Sequence, residues 1–328
     1  AAVIASVSFK NFKALRNTRL ALAPFNLVIG PNGSGKSSLI QSLLRLRSLA
    51  KLPLNESAQL EKKGGPEIDF RFSSPHGALT ARMSCVSEFV CDLLRVTPPG
   101  ASGWPVLRDE LRHIRSYLLD HYAMAAPSPR DKGEELASNG GNLAAVLAHM
   151  EAHHREAFAA LVSECARIMP EFTGIELTPG KEVAFVLQLT DGERVSADNL
   201  SQGTLYLLAM LALAFDPKPP AILCIEEIDR GIHPRMLREV RDALYRLSYP
   251  KAFGLTQCPV QVIATTHSPY LLDLFRDHPE EVVLANKQGT EARFERLADR
   301  ADLAELLREG SLGDMWFSGI LGGVPEER

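Results

Sequence analysis

The stretch Phe25–Leu46, FNLVIGPNGSGKSSLIQSLLRL, decides how the rest of the chain is read. Phe25–Ile29 is a short, mostly apolar run ending in glycine, the pattern of a buried strand. From Ser37 onward Leu39, Ile40, Leu43, Leu44 and Leu46 recur at helical spacing. Between them GPNGSGKSS, Gly30–Ser38, satisfies G-x-x-x-x-G-K-[ST]. Glycines at 30, 33 and 35 let successive backbone N–H groups point inward around an anion, and the helix start adds its positive dipole end. Lys36 supplies a full charge for β- and γ-phosphates, and the Ser37 hydroxyl is placed to ligate Mg²⁺. The candidate ATP contacts are therefore Gly30, Pro31, Asn32, Gly33, Ser34, Gly35, Lys36, Ser37 and Ser38. Such a loop does not by itself separate kinase, GTPase, transporter and motor.

Two later strands carry the complementary chemistry. AILCIEEIDRGIHP (Ala221–Pro234) has four apolar residues, Ile222–Ile225, followed by two acids. Glu226 at the end of a buried strand is placed to hold the Mg²⁺ shell, and Glu227 to orient and deprotonate an attacking water. Next, VIATTHSPYLL repeats the pattern of an apolar strand with a polar tip, and His267 stands where ligands of open α/β sheets bind. A third stretch, DNLSQGTLYLLAML (Asp198–Leu211), opens an apolar helix with Ser201, Gln202 and Gly203. This is a second helix-start anion site in a chain whose cradle already holds the nucleotide. It points to another subunit's nucleotide, with two copies facing head to tail and the γ-phosphate joining them.

The 328 residues, 45% hydrophobic, suffice for one large or two ordinary domains. A net charge of −4 announces no general affinity for nucleic acid, although RLRSLAK (Arg45–Lys51) and RDELRHIRSY (Arg108–Tyr117) are basic enough to meet phosphates. Five scattered cysteines without a CxxC pair read as reduced thiols of a cytoplasmic protein. No apolar run is long enough to span a bilayer, so no membrane partner is expected. Strands are expected in the first 30 residues, an exposed polar loop over Lys51–Glu67, and a hairpin around SSPHG. A single long helix is expected over Asn142–Met169, then the strands GIELT and EVAFVLQLT with a turn at Asp191–Gly192. The last third alternates helix and strand in the α/β manner. His149 and His153 share a helix face, but no third metal ligand is evident. Trp104 and Trp316 fall in loop-like sequence.

The order of these motifs resembles the ATP-binding-cassette (ABC) superfamily, in its SMC/RecF-like branch. VSFKNFKALRNTRLALAPFNLVIGPNGSGKSSLI (Val7–Ile40) is similar to the opening of those ATPase heads. LSQGTLYLLAMLAL, IEEIDRGIHP, TTHSPYLLD, SNGGNLAAVL (Ser138–Leu147) and SLGDMWFSGILGGVP (Ser311–Pro325) resemble stand-alone ATPases related to the overcoming-lysogenization-defect (OLD) nucleases. The resemblance implies an α/β fold: an ABC/RecF-like P-loop ATPase head with a mixed sheet, an antiparallel β subdomain and an inserted helical lobe. It divides the chain at 1–90, 91–198 and 199–328. It implies Lys36 and Ser37 for phosphate and Mg²⁺, Glu226 as the Walker B acid, Glu227 as general base and His267 as the switch histidine. Ser201 and Gly203 act in trans. Ile228 stands where a proline is usual, Gln202 stands where transporters carry glycine, and no Q-loop glutamine is assigned.

The tail after His267 shows no spaced acidic cluster able to hold two metals, so a Toprim nuclease domain is not expected. The expected activity is an ATP-hydrolysing switch that dimerises on ATP and controls a separately encoded effector such as a nuclease, or acts on nucleic acid, in anti-phage defence or repair. The alternatives are a transporter's ATP-binding subunit and a scaffold that clamps ATP without turnover.

Overall fold

The computed structural model describes residues 3–54 and 65–322, so most of the expected polar loop lies outside the described residues. The chain forms two compact units. One gathers the chain up to Ser116, Pro220–Ile228 and everything from Ser248 onward; the other holds Tyr117–Pro219 and Asp229–Leu247.

The first unit opens with β1 (Ile4–Phe12), β2 (Leu15–Ala21), β3 (Phe25–Ile29) and α1 (Lys36–Ala50). β4 (Glu67–Phe72), β5 (Thr80–Cys85), β6 (Cys91–Thr97), α2 (Trp104–Arg112) and β7 (Ile114–Tyr117) follow. An antiparallel sheet runs β2-β1-β4-β5-β6, and β4–β5 is the expected hairpin. Strand alternation puts Val7, Phe9, Ile68, Phe70, Ala81, Met83, Leu94 and Val96 into one buried cluster with Leu39, Ile40, Leu43 and Leu46 of α1. The same alternation leaves Arg71, Arg82 and Arg95 exposed. The β5–β6 register sets Cys85 opposite Cys91, and the two form a disulfide. This corrects the reading of all five cysteines as reduced thiols; the pairing depends on a hairpin register that no CxxC spacing signals. Trp104 opens α2 and is buried, which corrects its placement in a loop.

The second unit contains α3 (His121–Ala125), β8 (Ser128–Pro129), α4 (Leu143–His153) and α5 (Arg155–Ile168). It continues with β9 (Phe172–Leu177), β10 (Glu182–Val183), β11 (Phe185–Leu189), β12 (Arg194–Ser196) and α6 (Gln202–Ala214). The long helix expected over Asn142–Met169 is two helices, broken at His154 with φ −138° and ψ 54°. The two segments make different demands. α4 is buried along Leu143–Ala148 and at Met150, whereas α5 buries only Leu161 and Cys165. The strand expected over Glu182–Thr190 also divides, β10 pairing with β8 and β11 with β9. α6 is apolar all round and buried from Leu205 to Ala214. Its Tyr206 hydroxyl donates to the Leu119 carbonyl at 2.6 Å.

The chain returns to the first unit with β13 (Ile222–Ile225), leaves it for α7 (Leu237–Ser248) of the second unit, and re-enters it with β14 (Gln261–Thr266), α8 (Pro269–Asp273) and β15 (Val282–Gln288). β16 (Glu291–Arg296), α9 (Leu303–Glu309) and α10 (Leu312–Phe317) complete it. A six-stranded mixed sheet has the order β16-β15-β3-β14-β13-β7. β15, β3, β14 and β13 are parallel to one another in that order, and β16 is antiparallel to β15. Trp316 lies in α10 and is buried, again not in a loop. No described helix is long and apolar enough to cross a membrane.

Candidate functional site

The order β3-β14-β13 explains how three distant motifs meet. Parallel register pairs Ile29 with Thr266 and Ala264 with Ile225. The loop after β3, the tip of β14 and the acids after β13 therefore leave the sheet side by side, at the carboxyl ends where α/β ligands bind. They enclose a cleft of about 550 Å³, open to solvent, lined by Asn32, Gly33, Gly35, Lys36, Ser37, Ser38, Glu226, Glu227, Thr265 and His267.

The loop is already shaped as a cradle. Gly35 has φ +92°, and a Cβ there would stand 2.8 Å from Leu15 Cδ2, so only glycine fits. The Lys36 ammonium donates to the carbonyls of Gly30 at 2.6 Å and Pro31 at 2.8 Å. Ser34 lies beneath, its buried hydroxyl without a hydrogen-bond partner among the described residues. The Ser37 hydroxyl donates to Glu226 Oε2 at 2.8 Å. That hydroxyl–carboxylate pair is the oxygen donor set a hard divalent cation takes.

Glu227 is exposed and has φ +52°, an uncommon conformation for a residue with a side chain. Thr265 holds it there. Its hydroxyl accepts the Glu227 N–H at 3.0 Å, and its carbonyl accepts the Ile228 N–H at 3.0 Å. Thr265, which the sequence offers only as a polar neighbour of His267, is thus placed at the site by the structure, next to Glu227. His267 is exposed immediately beyond β14. Ser201, Gln202 and Gly203 are not among the residues lining this cleft; they open α6 in the other unit. Ser201 is exposed there, and its hydroxyl accepts the Thr204 N–H at 3.1 Å. The first basic stretch is engaged within its own unit: Arg45 donates to the Glu88 carbonyl and lies 4.9 Å from the Phe12 ring centre, and Arg47 donates to the Ile114 carbonyl.

Burial pulls Lys36 from its ordinary value down to about 8, with Glu227 and Glu226 pulling the other way. A bound triphosphate favours the charged ammonium. The Lys36 contribution to nucleotide affinity should therefore be present below that pH and be lost as pH rises through it. Calorimetry near pH 8.5 in two buffers of different ionisation heat should record proton uptake on ATP binding, absent near pH 7 from this group. No uptake would mean that Lys36 stays charged in the nucleotide-free protein.

The chain is an ATPase, and its fold is that of an ABC/P-loop ATPase head. The sequence pattern of the family described as "AAA domain, putative AbiEii toxin, Type IV TA system" matches residues 93–273, and the chain belongs to that family. A second pattern, described as "AAA ATPase domain", matches residues 3–75. Three solved structures share the fold at low identity. The SmcHead bound to the C-winged helix domain of ScpA is 13% identical with a TM-score of 0.61, over 89% of this chain and 97% of that one. The SMC head domain from Thermotoga maritima is 13% identical with a TM-score of 0.53, over 90% and 98%. The Smc head domain with an extended coiled coil, bound to the C-terminal domain of ScpA derived from Pyrococcus furiosus, is 14% identical with a TM-score of 0.58, over 94% and 100%. No curated protein matches the chain.

Proposed function

We propose that this ATPase is a switch: ATP joins two copies head to tail, and hydrolysis lets them part. The observation that carries the reading is the openness of the cleft. Glu227 and His267, which would act at the γ-phosphate, are both exposed. A general base and the charge developing beside it work best where water is excluded. A second copy supplies the cover, presenting its exposed Ser201 and the N–H groups at the start of α6 to the γ-phosphate.

Within each cradle the backbone from Gly30 to Ser38 and the Lys36 ammonium would hold the phosphates, and Ser37 and Glu226 would hold Mg²⁺. When bound, Mg²⁺ neutralises charge on the β- and γ-oxygens. Glu227 takes the proton of the attacking water, and His267 steadies the γ-phosphate. The switch then acts on a separately encoded effector, such as a nuclease, or on nucleic acid, in a defence or repair setting.

A mixing experiment tests the trans arrangement. Lys36→Ala leaves a chain with an intact Ser201 turn and a disabled cradle; Ser201→Arg leaves the reverse. Each alone should be nearly inactive in phosphate release, and mixing them should restore turnover, because one composite site per mixed pair is complete. An inactive mixture would reject the head-to-tail dimer.

A further inference from the structure

The start of α6 and the loop after the acids are packed together inside the second unit. Gly231 has φ +69°, and a Cβ there would stand 2.4 Å from Gln202 Cδ, 2.5 Å from Cγ and 2.6 Å from Nε2. The Gln202 side chain therefore lies directly over the Gly231 Cα. From the other side, a Cβ on Gly203 would stand 3.1 Å from the Gly231 carbonyl oxygen and 3.9 Å from the Ile232 Cα. The loop is itself closed by the Ile232 N–H bond to the Asp229 carbonyl at 3.2 Å, with Ile232 buried. Two backbones thus approach where each has a glycine, and one long, unbranched side chain fills the space beside them. A glycine at 202 would leave the face of Gly231 uncovered and the spacing of the two segments undefined.

We propose that Gln202 is a positioning residue: packed on Gly231, it fixes the Ser201–Gly203 turn to the Asp229–Ile232 loop, so that both meet the second copy as one surface. This rests on the dimer reading above. It assigns the work to the bulk of the Gln202 side chain and not to its amide as a nucleotide contact. Gln202→Met keeps an unbranched chain of similar length without the amide, whereas Gln202→Gly removes the filler.

Two measurements test it. Amide hydrogen exchange on the ATP-free protein reads the packing without any dimer. Gln202→Gly should speed exchange at residues 229–232 by about tenfold with the interior of α6 unchanged, and Gln202→Met should leave both as they are. Unchanged exchange at 229–232 in Gln202→Gly would overturn the proposal, as would faster exchange throughout α6, which would make the effect a general loosening. The second measurement uses the Glu227→Gln background with ATP and Mg²⁺, reading dimer affinity by analytical ultracentrifugation. Gln202→Gly should weaken the dimer about tenfold, Gln202→Met by less than about threefold, and neither should change ATP affinity at dilutions where the chain is monomeric. Equal damage from Met and Gly would overturn the proposal by making the amide a direct contact. Should Glu227→Gln fail to dimerise at all, the dimer reading falls, while the exchange result still decides whether Gln202 holds the loop.

Discussion

Glu227→Gln should lower steady-state phosphate release by about 10²–10⁴-fold, the range that a positioned general base supplies. ATP should stay bound in that variant, and the dimer should accumulate with it. The substitution is nearly isosteric and makes the same backbone demand, so the φ of +52° and the Thr265 hydroxyl bond to the Glu227 N–H are kept. What is lost is the capacity to accept a proton. Because Glu226 already accepts the Ser37 hydroxyl at 2.8 Å, it is committed elsewhere and does not substitute. Phosphate release, the nucleotide recovered from the protein, and its mass in solution with ATP check the three parts together. A fall in turnover of less than about tenfold would place the base on another residue.

Lys36→Ala should reduce ATP affinity by about 10²-fold or more, since hydrogen bonds to a charged group contribute roughly 1.5–3 kcal/mol each. The side chain has two tasks. Its ammonium meets the phosphates, and before that it ties down the carbonyls of Gly30 and Pro31. Removing it takes away the charge and also leaves those carbonyls without their donor, so loss of binding should be accompanied by faster amide exchange across residues 30–35. Titration calorimetry and exchange measured on the same variant separate the two. Full affinity in the alanine variant would show that the backbone and helix start suffice.

The parts of the site written as local pattern could be read from the chain alone. Strand-then-glycine before Lys36, four apolar residues before Glu226, and VIATT before His267 each carry their structural context within about a dozen residues. β14 falls where the pattern put it, at Gln261–Thr266. Features that depend on pairing between distant segments were not legible. The Cys85–Cys91 bond follows from the β5–β6 register, and β6 itself lacks the turn residues that mark a hairpin so plainly at SSPHG. The break at His154 was hidden because Ala-rich periodicity continues through it, and only the different burial of α4 and α5 reveals two helices. Thr265 was visible as a residue, but its hold on Glu227 requires β14 to lie next to β13.

That adjacency has a mechanical consequence. The Gly30–Ser38 loop, His267 and the paired acids hang from three neighbouring strands joined by a continuous ladder, whose spacing is set by the hydrogen bonds between their peptide groups. The three strand ends are held at ladder spacing, so the floor of the pocket cannot change its width by much without breaking those hydrogen bonds. For the switch proposed above, loss of the outermost phosphate is then read by whatever rests on the rim and not by the floor.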